Sequence, residues 1–241
     1  MPPRFKLEAE ELVSKSAAKL RLLKSLHCTT KFEKQAWQAG CRYVAGVDEV
    51  GRGSLFGPVV AAAVILDPNY RIRGLRDSKL ISQETREELA LRIRQHCLGW
   101  SIAAVDAARI DQINIYHASR LAMLEAVKAL LPAPDFLLVD AVRIDHPCGQ
   151  RKIIHGDALS ASIAAASIIA KVHRDDLIRR WDPVYPAYGL ASNKGYSTRK
   201  HIVALRELGP SPLHRQSFAP VWTAKVPNEA LECMLGEDEP D

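Results

Sequence analysis

Val44-Ala-Gly-Val-Asp-Glu-Val-Gly-Arg-Gly53, with Gly57-Pro58 close behind it, is the stretch on which the reading of this chain turns. Residues 43–47 are an apolar run of strand length, which predicts a buried β-strand. The run stops at two adjacent carboxylates, Asp48 and Glu49, which lead into the flexible Gly51-Arg52-Gly53. An Asp after a strand is also a common turn or helix-cap residue, so the pair takes its meaning from what surrounds it.

Outward from that stretch the chain alternates strands with helices, the pattern of an α/β fold. Residues 57–66, rich in Val and Ala between Gly-Pro and Asp-Pro, predict a second strand, and residues 100–105 a third. A helix is expected over 110–131, with Met123, Val127, Leu130 and Leu131 at helical spacing and Pro132 and Pro134 ending it. Residues 136–139 form an apolar strand that stops at Asp140, and 151–154 a short strand that stops before Gly156-Asp157. Leu159, Ile163, Ala166, Ala170 and Leu177 then keep the period of a long helix, in which Ala164, Ala165 and Ser167 permit close packing. Turns and short helices follow Pro183.

Residues 1–42 are polar and basic, with Leu7, Leu12, Leu20 and Leu23 at roughly helical spacing, and predict one or two appended helices packed on the main domain. The tail 228–241 lacks Lys and Arg and ends in acidic residues, so disorder is expected there. The organisation expected is a helical extension over 1–42, one catalytic α/β domain over 43–223 and an acidic tail over 224–241.

The 241 residues carry a net charge of +5, which suits a polyanionic partner but identifies none. The five cysteines are scattered, with no C-x-x-C pair, which argues against a disulfide framework or a zinc site and for a reducing compartment. No secretory signal opens the chain, and its apolar runs are too short to span a bilayer, so a cytoplasmic protein without a membrane partner is expected. Neither a phosphate-binding G-x-x-x-x-G-K-[ST] loop nor a G-x-S-x-G nucleophile elbow occurs.

Asp48 and Glu49, Asp140, and Asp157 all fall at or just past strand ends. Adjacent strands lie about 5 Å apart, so such carboxylates can converge on one sheet edge, where their repulsion calls for a cation. Oxygen ligands without His or Cys suit Mg²⁺ or Mn²⁺, and two such ions about 4 Å apart would activate water and stabilise the leaving oxygen of a phosphodiester.

The D-E-x-G-R-G string resembles that of the ribonuclease HII family. Asp77-Ser-Lys79, Asn114-Ile-Tyr-His117, Val139-Asp140-Ala141, Gly156-Asp157, residues 164–175 (AAASIIAKVHRD) and Asn193-Lys-Gly-Tyr196 match further family motifs in order. The resemblance covers residues 44–220. It implies a ribonuclease H-like fold, a mixed five-stranded sheet flanked by helices with a helical C-terminal segment. It also implies cleavage of the RNA strand of RNA–DNA hybrids, and incision 5′ of single ribonucleotides in duplex DNA, giving 3′-hydroxyl and 5′-phosphate ends. Carried over by position, the metal-binding carboxylates fall on Asp48, Glu49, Asp140 and Asp157. Gly51, Arg52 and Gly53 would contact the ribonucleotide, and Tyr196 the deoxyribose that follows it. Lys79 and Lys171 are candidates for phosphate contacts.

Two departures stand out. Leu80 follows Lys79 where many relatives have a second lysine, and Ser197 replaces a frequent proline after Tyr196. One basic contact is therefore expected to be missing and the Tyr196 loop to be looser. Arg174 and Asp175 could pair with each other, with a neighbour or with substrate, and His155 and His173 are left out of the catalytic set. The alternatives are another nuclease of the same fold (ribonuclease HIII, an integrase, a resolvase) or a catalytically inactive hybrid-binding module. The acidic quartet argues against the second, and only about forty residues before the first strand argue against ribonuclease HIII. A monomer is expected.

Overall fold

A computed structural model describes residue 26 and residues 28–225. The expected helices around Leu7 to Leu23 and the acidic tail from 228 lie outside the described residues.

The core is a mixed five-stranded sheet in the order β3-β2-β1-β4-β5. Its strands are β1 (Val44–Val50), β2 (Val59–Leu66), β3 (Cys97–Val105), β4 (Phe136–Asp140) and β5 (Gly149–Ile153). β1 pairs antiparallel with β2 and parallel with β4, β2 antiparallel with β3, and β4 parallel with β5. β2 is buried along its whole length because helices cover both sheet faces, which is why it reads as an unbroken apolar run. On one face Val59, Ala61 and Ala63 pack with Ala45 and Val47 against α3 (Ala107–Lys128). On the other, Val60, Ala62 and Val64 meet α5 (Ala161–Trp181) and α2 (Gln83–His96).

Several boundaries differ from the sequence expectation. β1 runs on to Val50, so Asp48 and Glu49 lie inside the strand instead of after it. β3 starts at Cys97, ahead of the expected residue 100; Gly99 interrupts its run, and Leu98 and Trp100 on this edge strand are exposed. The helix expected over 110–131 begins at Ala107 behind an Asp106 cap and ends at Lys128. It is interrupted at Asn114 (φ 62°), whose Oδ1 accepts the N–H groups of Tyr116 and His117 and restarts the helix. α2 is absent from the sequence reading. Its QETREELALRIRQH is mostly charged and buries only Leu89, Ala90 and Ile93, leaving no clear apolar period.

In the N-terminal part, α1 (Lys31–Gln38) packs on the sheet through Ala36, in one cluster with Val44, Leu138 and Ile163. Its Glu33 is buried and fastens it to the start of α5. One carboxylate oxygen accepts Ser160 Oγ at 2.6 Å, Ser162 Oγ at 2.7 Å and the Ser162 N–H at 2.9 Å. A negative charge on the first N–H groups of a 21-residue helix is favourable. It also sets the piece that carries Asp157, namely α4 (Gly156–Leu159), just ahead of α5. Beyond α5, a smaller apolar cluster of Leu55, Phe56, Ile178, Tyr188, Leu190 and Leu205 holds α6 (Leu190–Asn193) and α7 (Arg199–Leu208). α8 (Ala219–Thr223) adds Val221 to it.

Candidate active site

The strand register brings the carboxylates together. Val47 pairs with Val139 in parallel, so the next residues of each strand, Asp48 and Asp140, end up side by side. β5 pairs beside β4 with Ile153 opposite Asp140, and a left-handed His155 (φ 56°) then turns the chain into α4. Asp140 Oδ1 accepts the Gly156 N–H at 2.7 Å, which ties the residue before Asp157 to Asp140.

The electrostatics are those of crowded, buried anions. Burial first, then the charges of Glu49, Asp140 and Asp157, push Asp48 well above the usual carboxylate range, against a hydrogen bond from Ser167. Glu49 is raised by burial and by Asp140 despite Arg52. Asp140 is raised by burial and by Asp157 despite the Gly156 N–H. Two cations of the chain relieve part of this: Arg52 Nη1 sits 3.2 Å from Glu49 and Lys79 Nζ 3.5 Å from Asp157. Burial works against the Lys79 ammonium, but Asp157, Asp77 and Asp48 outweigh it and raise its pKa.

A cleft of about 310 Å³ opens beside Glu49 and is lined by Val50, Ser78, Lys79, Ser167, Lys171 and Tyr196. The expected site residues Lys79, Lys171 and Tyr196 therefore share one cavity with a carboxylate. Lys171 is already engaged: its Nζ lies 2.8 Å from Asp175, which also faces Arg86 at 3.5 Å. The open pairing of Arg174 with Asp175 does not occur. Arg174 turns away and is fully buried.

Arg174 braces the loops that frame the cleft. It donates to the carbonyls of Pro58 (3.1 Å), Lys194 (3.0 Å) and Phe56 (3.1 Å) and to Ser54 Oγ (2.7 Å). Ser54 bridges to Tyr196, so the Gly51–Gly53 loop and the Tyr196 loop are zipped together in front of it. Gly51 has φ +89°, and a Cβ there would lie 2.2 Å from Arg174 Nε, so glycine is required twice over. Arg215, also buried, donates to the carbonyls of Gly57 (3.0 Å) and Arg52 (2.9 Å). Burial and the nearby Arg174 charge pull its pKa down to about 9.

Arg174→Met is expected to lower kcat/KM by ~10²-fold, the scale of a loop misplaced by about 1 Å. Divalent-ion binding should be unchanged, since Arg174 touches no carboxylate of the quartet. Steady-state kinetics and a metal-titrated melting curve check both parts, and near wild-type kinetics would sink the bracing role.

A family model described as Ribonuclease HII matches residues 45–221. The ribonuclease HII of Koribacter versatilis is 71% identical over 225 residues, 93% of this chain and 89% of that protein.

The chain belongs to the ribonuclease HII family.

The ribonuclease HII of Solibacter usitatus is 59% identical, with 80% of this chain and 85% of that one covered. Among solved structures, the ribonuclease H2 of Pyrococcus horikoshii matches with a TM-score of 0.68 at 25% identity, over 76% of this chain and 97% of that one. The mixed five-stranded sheet with flanking helices is accordingly a ribonuclease H-like fold.

Within this ribonuclease HII chain the donor chemistry fits a hard divalent cation: carboxylate oxygens only, with charges that burial and mutual repulsion leave short of compensation. Among the described residues no three Asp, Glu, His or Cys are placed close enough together to hold an ion. Glu49 is held by Arg52 and Asp157 by Lys79, so a metal would displace two intramolecular cations. Sequence reasoning missed Ser78 and Ser167, whose hydroxyls lie 3.0 Å apart in the cleft, and the bracing by Arg174, Arg215 and Glu33. A charged residue in a helical run reads as solvated face, and nothing local marks it as buried.

Proposed function

We propose that the chain hydrolyses the RNA strand of RNA–DNA hybrids and incises duplex DNA 5′ of a single embedded ribonucleotide, leaving 3′-hydroxyl and 5′-phosphate ends. The observation that carries the reading is the meeting of Asp48 and Asp140 by strand register beside the cleft of Glu49, Lys79 and Tyr196, in a ribonuclease HII chain. Asp48, Glu49, Asp140 and Asp157 would hold Mg²⁺ or Mn²⁺. When bound, such ions supply an activated water and stabilise the departing 3′-oxygen.

The chain's own residues do the rest. Gly51, Arg52 and Gly53 approach the ribonucleotide and test its 2′-hydroxyl. Gly53 supports this reading: unlike Gly51 it has open space where a Cβ would be, so nothing within the chain demands a glycine there. With a cation held by Glu49, Arg52 would be free to meet a phosphate. Tyr196 packs on the next sugar and favours one without a 2′-hydroxyl, while Lys79 and Lys171 hold backbone phosphates. One chain carries the whole proposed set, so a monomer would suffice for the reaction. No described helix is long and apolar enough to cross a membrane, and the described cysteines are free, which supports a cytoplasmic setting.

The test is cleavage of labelled duplex DNA carrying one internal ribonucleotide, beside an all-DNA control. EDTA-sensitive cutting 5′ of the ribonucleotide alone is expected. Cutting of the control would point to a resolvase-like enzyme, and tight binding without cutting to an inactive module.

Metal linkage gives a second expectation. The raised pKa values of Asp48, Glu49 and Asp140 mean that their stabilising contribution is present in acid, below the ordinary carboxylate range, and is lost as pH rises through the raised values. At neutral pH the site therefore strains the fold, and saturating Mn²⁺ should raise Tm by ~5 °C. No shift in a thermal melt, while Asp48→Asn behaved identically, would remove the metal site from this sheet edge.

A further inference from the structure

Behind the Tyr196 loop lie two fully buried histidines, His201 at the start of α7 and His214 in the turn that follows it. Their Nε2 atoms are 3.0 Å apart. At that distance one nitrogen must donate and the other accept, and the outer contacts decide which. The Ser211 backbone N–H can only donate, and it points at His214 Nδ1 from 3.0 Å. His214 Nδ1 is therefore bare and its proton sits on Nε2. His201 Nε2 must then be bare, which puts the His201 proton on Nδ1. That nitrogen faces the Tyr196 carbonyl at 2.9 Å, a group that can only accept. Every donor meets an acceptor, in one direction, from Ser211 N–H to Tyr196 C=O.

We propose that His201 and His214 form a neutral pair of opposite tautomers that positions Tyr196, and through it sets the preference for a deoxyribose after the ribonucleotide. The proposal rests on the reading of Tyr196 given above. It assigns the two histidines as positioning residues, since neither lines the cleft.

The surroundings favour this arrangement. His214 is enclosed by the rings of Phe56 (5.0 Å) and Tyr188 (4.7 Å), and its own backbone bridges to Phe56, just after the Gly51–Gly53 loop. His201 follows Tyr196 by one short turn, capped by Thr198. The pair thus joins the segment behind one substrate loop to the carbonyl of the other. Burial holds both imidazoles below their ordinary range, His214 down to about 4, so both are neutral at pH 7. Asn193 braces the loop from within, its carbonyl accepting the Tyr196 N–H at 3.0 Å and its Oδ1 the Gly195 N–H at 2.7 Å, and the histidine pair adds a brace from behind.

Two measurements test it. In the ¹⁵N-labelled full-length protein, long-range ¹H–¹⁵N correlation of the rings should find His201 as the Nδ1–H tautomer and His214 as the Nε2–H tautomer at pH 7. The same tautomer in both, or an imidazolium in either, overturns the proposal whether or not any variant folds. The second measurement is the ratio of incision rates on substrates with deoxyribose or ribose directly after the ribonucleotide. His201→Leu should lower that ratio ~10-fold, as expected for one lost buried hydrogen bond, and His201→Asn, whose amide can still reach the Tyr196 carbonyl, should keep most of it. A ratio that falls with Tyr196→Ala but stays at the wild-type value in His201→Leu overturns the pair's role. A ratio indifferent to Tyr196→Ala overturns the reading of Tyr196 itself, and the proposal with it.

Discussion

Asp140→Asn is expected to abolish incision, with a fall of ~10³-fold or more, while hybrid binding stays equal or tightens. The fall corresponds to ~4 kcal/mol of lost transition-state stabilisation, a scale typical of removing one preorganised electrostatic group. The substitution is clean because an amide oxygen can still accept the Gly156 N–H, the bond that ties β4 to the Asp157 turn. What disappears is the charge, and with it the hard ligand proposed for the cation. Asp140 is raised by burial and by Asp157, so its ionised form costs stability at neutral pH, and the variant should melt higher than wild type without divalent ions. Single-turnover cleavage, fluorescence anisotropy on a labelled hybrid and a melting curve in EDTA read out the three parts. Wild-type cleavage by Asp140→Asn would remove Asp140 from the metal set, and a lower Tm would mean that its charge is compensated within the fold.

Gly46→Ala is the change with the largest expected effect on folding. A Cβ at Gly46 would lie 2.1 Å from the Ser162 carbonyl carbon and 2.3 Å from the Ile163 nitrogen. Both obstacles are backbone, so no side chain can swing aside. β1 cannot retreat either, since Gly46 pairs with Val64 on one side and Leu138 on the other. α5 would have to move off the sheet, and Ser162 is where Glu33 fastens α1 to it. The cost should reach ~4 kcal/mol or more, a large share of a domain's ~5–15 kcal/mol, so little soluble protein is expected. Soluble yield and a urea midpoint check this, and a midpoint near wild type would show that the contact gives way. Gly53→Ala is the matching control: with open space around it, the fold should survive, with ΔΔG within ~0.5 kcal/mol. Loss of incision in that variant would then report on substrate contact alone.

The two glycines mark the boundary between what local sequence carries and what folding adds. β1, β2 and β4 were legible because strands covered on both faces become continuous apolar runs, α3 because it turns a packed face inward, and α5 because residues 161–170 are buried on every side and so carry few charges. The candidate site residues came mainly from ordered motifs: D-E-x-G-R-G, Gly156-Asp157 and the Tyr196 loop each name a residue type at a spacing. Their convergence was not legible. Asp48 and Asp140 are neighbours because β1 and β4 pair in parallel with Val47 opposite Val139, a register between segments about ninety residues apart in the chain. For the same reason Gly46 looks like any strand glycine until α5 lies across it. Glu33, Arg174 and Arg215 likewise look like solvated charges until α5 closes on the first and the loops around Gly51–Pro58 on the other two. Periodicity and motif are properties of neighbouring residues along the chain and survive in the unfolded sequence. Burial, register and the pairing of charges belong to residues that meet only when distant segments pack, and they come into being with the fold.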